Sequence, residues 1–441
     1  MKISTPRKLS AIFCALATTG LSLSTSTFAQ DGADVERIEV TGSRIKRTDM
    51  EGPSPVQSIS KDDIANMGYD NLQQLLERMP VAGSGTFSTR GNSQDSTANG
   101  AAAVSLRGLG ADATLVLING RRVAISAFAE SITNSFVDIN SIPVSAIERI
   151  DILKDGASAI YGSDAIGGVV NIITNGLQQK NGHKLSVGSK WGSYNSRSNN
   201  IWWGVQKQKW KLSLSSQQNK ADGEQLRGTK GYFNNSFYAA NFNYNFASDW
   251  KLHILYANDS RDFNAQNFYT TFKSDTASEI VKSNWTQMSV HKQYAHTTVK
   301  FDAAYKNLSD RFRFNPAGSF NENKTSLFVA QGTVQFSRNP NHQIVTGAQW
   351  IHKKIRSNDR GNHDLAHGAA FVIATHKLPK NIFINESLRI DWDQSYGWVI
   401  IPQVNASWVK GNLTTRSSIG KGVRDADFTE RYNNYNKSLV T

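Results

Sequence analysis

The stretch VKFDAAYK, residues 299–306, alternates apolar and polar side chains. Because successive side chains of a β-strand point to opposite faces, this period of two predicts a strand with one apolar and one polar face. Clusters of Asn, Asp, Gly and Ser, such as SNDRGN at residues 357–362, separate it from further runs of the same kind. Those runs are residues 210–214, 242–246, 250–256, 327–336, 344–351 and 388–393. We predict about thirteen strands in residues 179–441, with the long strands and short turns of a membrane barrel.

The alternation by itself leaves two architectures open. In a soluble sandwich or propeller the apolar face turns inward, whereas in a membrane barrel it faces lipid. No segment after the first 29 residues offers about eighteen consecutive apolar residues, so a helical membrane protein is excluded. Tryptophans near predicted strand ends are typical of membrane girdles and favour the barrel. They are Trp191, Trp202, Trp203, Trp250, Trp392, Trp398 and Trp408.

Residues 51–178 have a mixed pattern, which predicts a compact α+β domain with its own core. KDDIANMGYDNLQQLLER, residues 61–78, predicts two short helices that are interrupted near Gly68, and Pro80 ends the second. The other predicted elements are a buried strand at 113–118, a hairpin turn at Asn119 and Gly120, a returning strand at 121–125, a helical turn at 142–147, and strands at 148–153 and 168–174.

The first 29 residues have the pattern of a cleaved secretion signal. A basic start with Lys2, Arg7 and Lys8 precedes a mostly apolar run, and small residues lie just before Gln30, the predicted mature N-terminus. The single cysteine, Cys14, falls inside this run. The mature chain is therefore predicted to have no disulfide and no cysteine metal site.

Charge divides the chain into two parts. Residues 30–178 hold 12 Lys and Arg against 18 Asp and Glu, a net charge of −6, whereas residues 179–441 hold 34 against 18, a net charge of +16. We interpret the basic part as solvated loops and strand ends that attract anionic ligands and lipid phosphates. The sequence has neither paired Cys and His zinc ligands nor an RNP-like aromatic pattern, so no nucleic-acid partner is predicted.

Five stretches occur in an order that resembles the TonB-dependent outer-membrane receptor family. They are IEVTG at 38–42, VSLRGLG at 104–110, LVLINGRRV at 115–123, IERIDILKDG at 147–156 and AIYGSDAIGGVVNII at 159–173. Each is a weak signal alone, but the ordered set is specific. The resemblance implies an α+β plug domain followed by an antiparallel transmembrane β-barrel of roughly 22 strands, about 12–13 of them present here. The implied domains are a signal peptide at 1–29, a TonB box and linker at 30–50, the plug at 51–178 and a partial barrel at 179–441.

The resemblance makes residues 38–42 the TonB box, the segment that pairs as a strand with the periplasmic protein TonB. Strand addition uses main-chain donors and acceptors, and β-favouring residues such as Val40 suit it. A first strand of the plug or a plain linker is the alternative interpretation. The residues of the box are Ile38, Glu39, Val40, Thr41 and Gly42.

The resemblance also singles out plug residues at tight turns and close contacts. They are Arg107, Gly108, Gly110, Asn119, Gly120, Arg121, Glu148, Arg149, Gly156, Tyr161, Gly162, Gly167, Gly168 and Asn171. The polar stretch 83–100 is the candidate ligand loop, with an ordinary linker as the alternative. Its candidate contacts are Thr86, Phe87, Arg90, Asn92 and Gln94.

The implied function is TonB-dependent uptake of a scarce chelate across the outer membrane, with a ferric siderophore as the first choice of ligand. A cobalamin or haem receptor of the same family is the nearer alternative, and a secreted β-rich binding or adhesive protein is the more distant one. The implied partners are TonB, outer-membrane lipids and the metal chelate. No enzymatic reaction, cofactor or bound metal of the protein's own is predicted.

Three short patterns mimic chemical motifs. GLGADA at 108–113 resembles a dinucleotide loop but precedes a predicted strand instead of following one. His363 and His367 follow a turn cluster, and we predict a surface loop there in preference to a metal site. Asn339, Pro340 and Asn341 beside His342 resemble the asparagine-proline motif of haem receptors, but a turn contains such residues anyway.

The segment GKGVRDADFTERY, residues 420–432, resembles a family segment that lies well inside the barrel, with further strands to follow. We therefore expect the sequence to be a C-terminally truncated receptor: a gene fragment, a frameshifted gene or one part of a split receptor. The final residue, Thr441, also differs from the aromatic residue with which such barrels commonly end.

Overall fold

Two β-sheets account for most of the molecule. The computed structural model describes residues 38–39, 46–47, 54–67, 72–83, 101–123, 136–174, 182–223, 225–226, 229–247, 249–264, 277–313 and 320–432. All of these residues fall within one compact unit, Ile38–Thr441. A five-stranded sheet lies in its first part, and a 13-stranded sheet follows.

The first part, residues 54–174, is called the plug below. A two-residue hairpin precedes it, formed by β1 (Ile38–Glu39) and β2 (Lys46–Arg47). The plug contains β3 (Val56–Ser60), α1 (Lys61–Met67), α2 (Leu72–Glu77), β4 (Thr114–Ile118), β5 (Arg121–Arg122), β6 (Ile147–Leu153), α3 (Ser158–Tyr161) and β7 (Gly168–Thr174). Short 3-10 turns cover Ile139–Ser141 and Val144–Ala146. The two predicted helices, the helical turn and the predicted strands are confirmed, but the returning strand is described only at Arg121–Arg122, since residues 124 and 125 lie outside the described residues.

The plug sheet has the strand order β3-β6-β7-β4-β5, in which β4 and β7 are parallel and the other neighbours are antiparallel. Most of its apolar side chains are buried, among them Ile150, Ile152, Val170 and Ile172 at 0% exposure. Burial on both faces explains why β4 is apolar from residue 115 to residue 118 without alternation.

The start of α1 is defined by a reciprocal cap. The Ser60 hydroxyl accepts a hydrogen bond from the Asp63 backbone N–H at 3.1 Å, and the Asp63 carboxylate accepts one from the Ser60 backbone N–H at 2.9 Å. This is a capping box, which satisfies two backbone donors that a helix N-terminus otherwise leaves unpaired. The hydrogen bonds from Ser60 also lower the pKa of Asp63.

The large sheet is an antiparallel meander in which every strand pairs with its neighbours in sequence. Its strands are β8 (Gly182–Gly192), β9 (Ser196–Gln206), β10 (Trp210–Ala221), β13 (Phe233–Ala247), β14 (Trp250–Asn264), β15 (Ser278–Gln293), β16 (Thr297–Arg313), β17 (Phe320–Asn339), β18 (His342–Ser357), β19 (Gly361–Leu378), β20 (Ile382–Asp393), β21 (Gly397–Lys410) and β22 (Leu413–Gly420). A small hairpin of β11 (Gln225–Leu226) and β12 (Thr229–Lys230) interrupts one connection, and α4 (Phe428–Tyr432) follows β22. The predicted number of strands is confirmed, and within the described residues β8 and β22 are the two edges.

The two faces of the large sheet have inverted polarity. In β16, Phe301 and Tyr305 are 47% and 46% exposed, whereas Asp302 and Lys306 are each 5% exposed. Apolar side chains thus point outward and polar ones inward, which is the arrangement of membrane barrels and the reverse of a soluble sandwich. We call the inward face of this sheet the wall.

The two ends of the large sheet differ in their connections. At one end, turns of two or three residues join β9 to β10, β13 to β14, β15 to β16, β17 to β18, β19 to β20 and β21 to β22. This end is called the short-turn end. Several connections at the other end are longer, including those from β10 to β13 and from β14 to β15.

Two predictions about individual side chains are wrong. His363 and His367 belong to β19 and not to a surface loop, because the turn cluster ends where β19 begins at Gly361. Trp202 and Trp203 lie in the middle of β9, and Trp202 is 6% exposed with the Lys61 ammonium of α1 5.2 Å from its ring centre. Trp202 therefore contacts the plug instead of forming part of a girdle. Of the helices described, none is long and apolar enough to cross a membrane.

Candidate functional site

The candidate site is the interface between the plug and the wall. It begins at the turn between β4 and β5, where Asn119 and Gly120 have φ angles of 51° and 78°. Asn and Gly tolerate these left-handed conformations, which a two-residue hairpin requires at both central positions. The Asn119 amide donates to the Thr174 hydroxyl at 2.9 Å, and the Gly120 N–H donates to the Asn171 side-chain oxygen at 3.0 Å. The predicted residues Asn119, Gly120 and Asn171 therefore form one cluster.

Arg121 attaches this turn to the wall. Its guanidinium forms an ion pair with Asp302 of β16, and the two side chains are 8% and 7% exposed. The Gln287 side chain of β15 adds a hydrogen bond to the backbone oxygen of Ile118 at 3.1 Å. Two neighbouring strands of the wall thus hold the tip of the plug sheet.

A second cluster lies where Arg107 meets the start of β7. The Arg107 guanidinium donates to the backbone oxygens of Gly167 and Ile166, each at 3.1 Å. Gly108 and Gly110 continue this loop, and the Gly110 N–H donates to the Ser105 hydroxyl at 2.9 Å. These hydrogen bonds join residues of the plug to one another, so they hold the shape of the plug and do not attach it to the wall.

Gly167 and Gly168 make the close approach possible at this point. A Cβ on Gly167 would lie 3.1 Å from the backbone oxygens of Ala113 and Leu106, and a Cβ on Gly168 would lie 2.4 Å from the Leu153 oxygen. Gly168 also has a φ of 139°, which L-residues rarely adopt. Both glycines are thus packing positions at the start of β7.

The turn of α3 forms the next contact with the wall. Arg122 binds the Asp164 carboxylate at 2.8 Å and the Tyr161 backbone oxygen at 3.0 Å. A Cβ on Gly162 would lie 2.8 Å from a terminal nitrogen of Arg389 in β20. Nearby, the Gln403 amide of β21 donates to the Gly156 oxygen at 2.6 Å. Tyr161, Gly162 and Gly156 therefore lie at the interface itself.

Glu148 and Arg149 occupy a different part of the plug, at the start of β6. Arg149 pairs with Asp151 at 3.1 Å, and Asp151 also accepts the Ser58 hydroxyl at 2.6 Å. Partial burial raises the pKa of Glu148 and lowers that of Lys61, while their mutual attraction opposes both shifts. Glu148 and Arg149 therefore belong to the edge of the plug formed by β3 and α1, away from the Asn119 cluster.

Two further ionic contacts were not found by sequence reasoning. Asp138 of the plug pairs with Arg261 of β14 at 2.5 Å, and Asp259 approaches the same guanidinium at 3.2 Å. The sequence does contain a signal for inward charges, because Arg261 and Asp302 occupy polar positions of strands with alternating polarity. Alternation indicates that such a side chain faces inward but does not indicate its partner.

The segment after β22 returns to the plug and was also missed. The Asp164 N–H donates to the Val423 oxygen at 3.0 Å, and Lys353 of β18 pairs with Asp425 at 3.2 Å. Burial acts to raise the pKa of Asp425, but Lys353 and Arg431 outweigh it, so the pKa is lowered. Asp427, which lies 3.7 Å from Lys353, has a pKa raised by burial.

Apolar packing joins the same surfaces. Leu115, Leu117 and Val169 of the plug cluster with Val345 of β18 and with residues of β19. A larger cluster includes Phe237, Leu255 and Trp285 of the wall together with most of the plug core. The interface is therefore a mixture of apolar patches, buried ion pairs and hydrogen bonds.

Parts of the predicted site lie outside the described residues. Val40, Thr41 and Gly42 of the predicted TonB box do, and so do Thr86, Phe87, Arg90, Asn92 and Gln94 of the candidate ligand loop. For Ile38 and Glu39 of the box, the structure describes the backbone, which pairs with the backbone of Arg47 and Lys46. Among the described residues, no group of three or more His, Cys, Asp or Glu is placed to hold a metal ion.

Comparisons with known proteins agree with this architecture. The model of the TonB-dependent receptor plug domain matches residues 48–169. The vitamin B12 transporter BtuB of Photobacterium profundum is 23% identical over 437 residues, which cover 95% of this chain and 67% of that protein. The iron-regulated outer membrane virulence protein of Vibrio cholerae is 32% identical over 165 residues, or 37% of this chain and 24% of that protein.

Solved structures share the fold at low identity. The siderophore receptor PirA from Pseudomonas aeruginosa superposes with a TM-score of 0.65 at 18% identity, covering 84% of this chain. A mutant of the ferric enterobactin receptor PfeA from the same organism gives a TM-score of 0.69 at 17% identity, covering 85% of this chain. The chain spans 62% of the length of each of these two solved chains.

Proposed function

We propose that this chain, which belongs to the TonB-dependent receptor family, serves TonB-dependent uptake of a scarce metal chelate across the outer membrane, with a ferric siderophore as its ligand. The observation that carries the proposal is the docked plug, which the Arg121–Asp302 pair and the α3 turn attach to the wall. Because the plug covers inward faces of the strands, passage of a ligand requires the plug to move. No bond of the ligand is made or broken, so the protein is not an enzyme.

TonB is the proposed source of that movement. We assign residues 30–50 as the TonB box and linker, with residues 38–42 as the box to which TonB adds a strand. The chain that leaves this region enters the plug at β3, which is an edge strand bound on one side by β6. A pulling force on the box therefore acts on β3 before the other strands of the plug sheet. An edge strand can separate by breaking the hydrogen bonds to one neighbouring strand only.

The outward apolar face of the large sheet supports an outer-membrane location. We propose a signal peptide at 1–29, the plug at 51–178 and transmembrane strands within 179–441. The outward apolar side chains of the strands, including Phe301 and Tyr305, provide the lipid-facing surface. Outer-membrane lipids are thus proposed as partners of the large sheet.

The ligand class is supported by what the relatives are named for. The virulence protein is described as iron-regulated, and PirA is described as a siderophore receptor. Cobalamin is the second candidate, because the match to the vitamin B12 transporter extends over 95% of this chain. The polar stretch 83–100 is the proposed contact loop for either ligand.

Growth assays separate these possibilities. Three strains are compared: one that lacks the gene, one complemented with the wild-type chain and one complemented with Val40→Pro. Each is grown with a ferric siderophore as the iron source and, in a cobalamin auxotroph, with limiting cobalamin. If the wild-type chain restores growth on the siderophore but not on cobalamin, the proposal is supported. If it restores growth on cobalamin but not on the siderophore, the second candidate is selected. Equal growth of all three strains on both ligands would reject transport by this chain.

A further inference from the structure

Two imidazoles meet on neighbouring strands at the short-turn end of the large sheet. His342 is the first residue of β18 and pairs in register with His376 of β19. Their Nδ1 atoms are 2.9 Å apart, and their ring centres are 5.1 Å apart. The distance is that of a hydrogen bond from one ring N–H to the nitrogen of the other ring. A metal ion bound by both Nδ1 atoms would replace this bond, with the N–H proton moving to Nε2 of its own ring.

This pair lies on the outward face of the sheet and is open to solvent. His342 is exposed and His376 is half-exposed. Two residues further along β18, Ile344 also points outward with 43% exposure. The pair thus lies at the border of the apolar outer surface, beside the turn formed by Pro340 and Asn341, where an ion from water reaches it.

The separation of the two nitrogens selects a coordination geometry. Imidazole nitrogen binds transition metals at about 2.0–2.1 Å, so two such bonds that span 2.9 Å enclose an angle of about 90°. Right angles between neighbouring ligands occur in square-planar and tetragonal complexes, which Cu²⁺ and Ni²⁺ favour. A tetrahedral Zn²⁺ ion would require the nitrogens to separate to about 3.3 Å.

We propose that His342 and His376 form a two-histidine binding site for a divalent transition-metal ion, with Cu²⁺ as the ion that fits best. Both strands are held on both sides, β18 by β17 and β19, and β19 by β18 and β20. The ladder therefore positions the imidazoles before the ion arrives, which reduces the entropy lost on binding. Water fills the other coordination positions.

The other described histidines on β19 have different surroundings. His363 stacks on Tyr432 with 3.5 Å between ring centres, and His367 is buried between Asp391 and Asp393 at 3.4 and 3.5 Å. These rings contact neighbouring side chains at the end of the sheet opposite the short-turn end. The proposed site does not depend on the transport function, because it lies on the outer surface and away from the plug.

The test is Cu²⁺ titration of the full chain in detergent micelles, followed by calorimetry and by electron paramagnetic resonance. We expect the wild-type protein to bind one Cu²⁺ ion with two imidazole nitrogens, and His342→Gln or His376→Gln to weaken binding at least about tenfold. His183→Gln is the matched control, since His183 is an exposed histidine on β8. That variant should bind within about twofold of the wild type.

The outcome is decided by the comparison between variants, because other histidines and the chain terminus add the same background to all of them. Circular dichroism of each variant confirms that the sheet is intact. Equal Cu²⁺ affinity in the wild type and in His376→Gln would overturn the site. A spectrum with one imidazole nitrogen, or tighter binding of Zn²⁺ than of Cu²⁺, would overturn the proposed geometry.

Discussion

Arg121 of the plug and Asp302 of β16 are 181 residues apart in the sequence and form a buried ion pair. The pair joins the hairpin turn of the plug to the centre of the large sheet. Neither side chain is more than 8% exposed. The Arg121 charge is compensated by Asp302, whereas Asp302 also lies 3.5 Å from the Lys300 ammonium. Movement of the plug away from the wall must therefore separate or rehydrate this pair.

Removing one partner of this pair should destabilise the protein strongly. Asp302→Asn leaves the buried Arg121 guanidinium without its ion-pair partner, at a cost of about 3–5 kcal/mol in the free energy of unfolding. Arg121→Gln should cost less, because the Lys300 ammonium lies 3.5 Å from the Asp302 carboxylate and still compensates it. The double variant should lose less than the sum of the two single variants, because no charge is then left alone. Thermal and urea unfolding in detergent measure these differences.

The matched control for that experiment is an exposed ion pair on the same sheet. Lys324 and Glu322 are 3.5 Å apart with 61% and 36% exposure, so Lys324→Gln should change stability by about 0.5 kcal/mol or less. Similar losses for Arg121→Gln and Lys324→Gln would show that burial does not set the strength of the Arg121 contact.

Gly168→Ala should destabilise the plug. The added Cβ would lie 2.4 Å from the Leu153 backbone oxygen at a φ of 139°, and neither the backbone atom nor the dihedral can adjust without shifting the β6–β7 ladder. We expect a loss of about 1–3 kcal/mol, seen as a lower unfolding temperature or as faster proteolysis of the plug. Gly332→Ala is the control, since nothing lies within 4 Å of its added Cβ. If both variants unfold alike, the close approach at Gly168 is not under strain.

Two carboxylates near α4 should respond to acid in opposite directions. The pKa of Asp425 is lowered in the folded protein, so its stabilising contribution is complete at neutral pH and is lost as the pH falls through the lowered folded value. The pKa of Asp427 is raised, so its ionised form destabilises the fold at neutral pH, and this penalty is relieved as the pH falls through the raised value.

The measurement is the unfolding temperature of the wild type, Asp425→Asn and Asp427→Asn between pH 7 and pH 3. The advantage of the wild type over Asp425→Asn should shrink toward low pH, whereas its stability relative to Asp427→Asn should improve. Carboxylates away from this cluster titrate alike in all three proteins and cancel in the differences. Parallel curves for the two variants would contradict the assigned directions.

Substitution in the proposed TonB box should act through the backbone. Val40→Pro removes an N–H donor that strand addition uses, and we expect binding to a purified TonB C-terminal domain to fall at least about tenfold. Val40→Ile keeps the donor and the β propensity, so it should bind within about threefold of the wild type. Equal losses for both variants would indicate that TonB reads the side chain at this position and not the main chain.

Much of the architecture was predictable because the relevant signals are local. The alternation in residues 299–306 indicates the strand and its two faces, and thirteen strands are present in the large sheet. The Asn119 and Gly120 turn and the break between α1 and α2 follow from conformational preferences of single residues. The prediction of a loop at His363 and His367 is wrong because their one-turn spacing and the preceding turn cluster obscure a period of two that they also satisfy.

The amino-acid sequence by itself determined the strands, the turns, the composition of the plug core and the resemblance to the receptor family, since each depends on neighbours in the chain or on ordered motifs. The tertiary structure alone decided which inward charges meet: Arg121 with Asp302, Asp138 with Arg261, and Lys353 with Asp425. Alternation assigns a side chain to a face but leaves its partner undefined, because the partner depends on where the plug docks against many strands at once. His342 and His376 are likewise distant in the sequence, and only the register of β18 against β19 brings their imidazoles together.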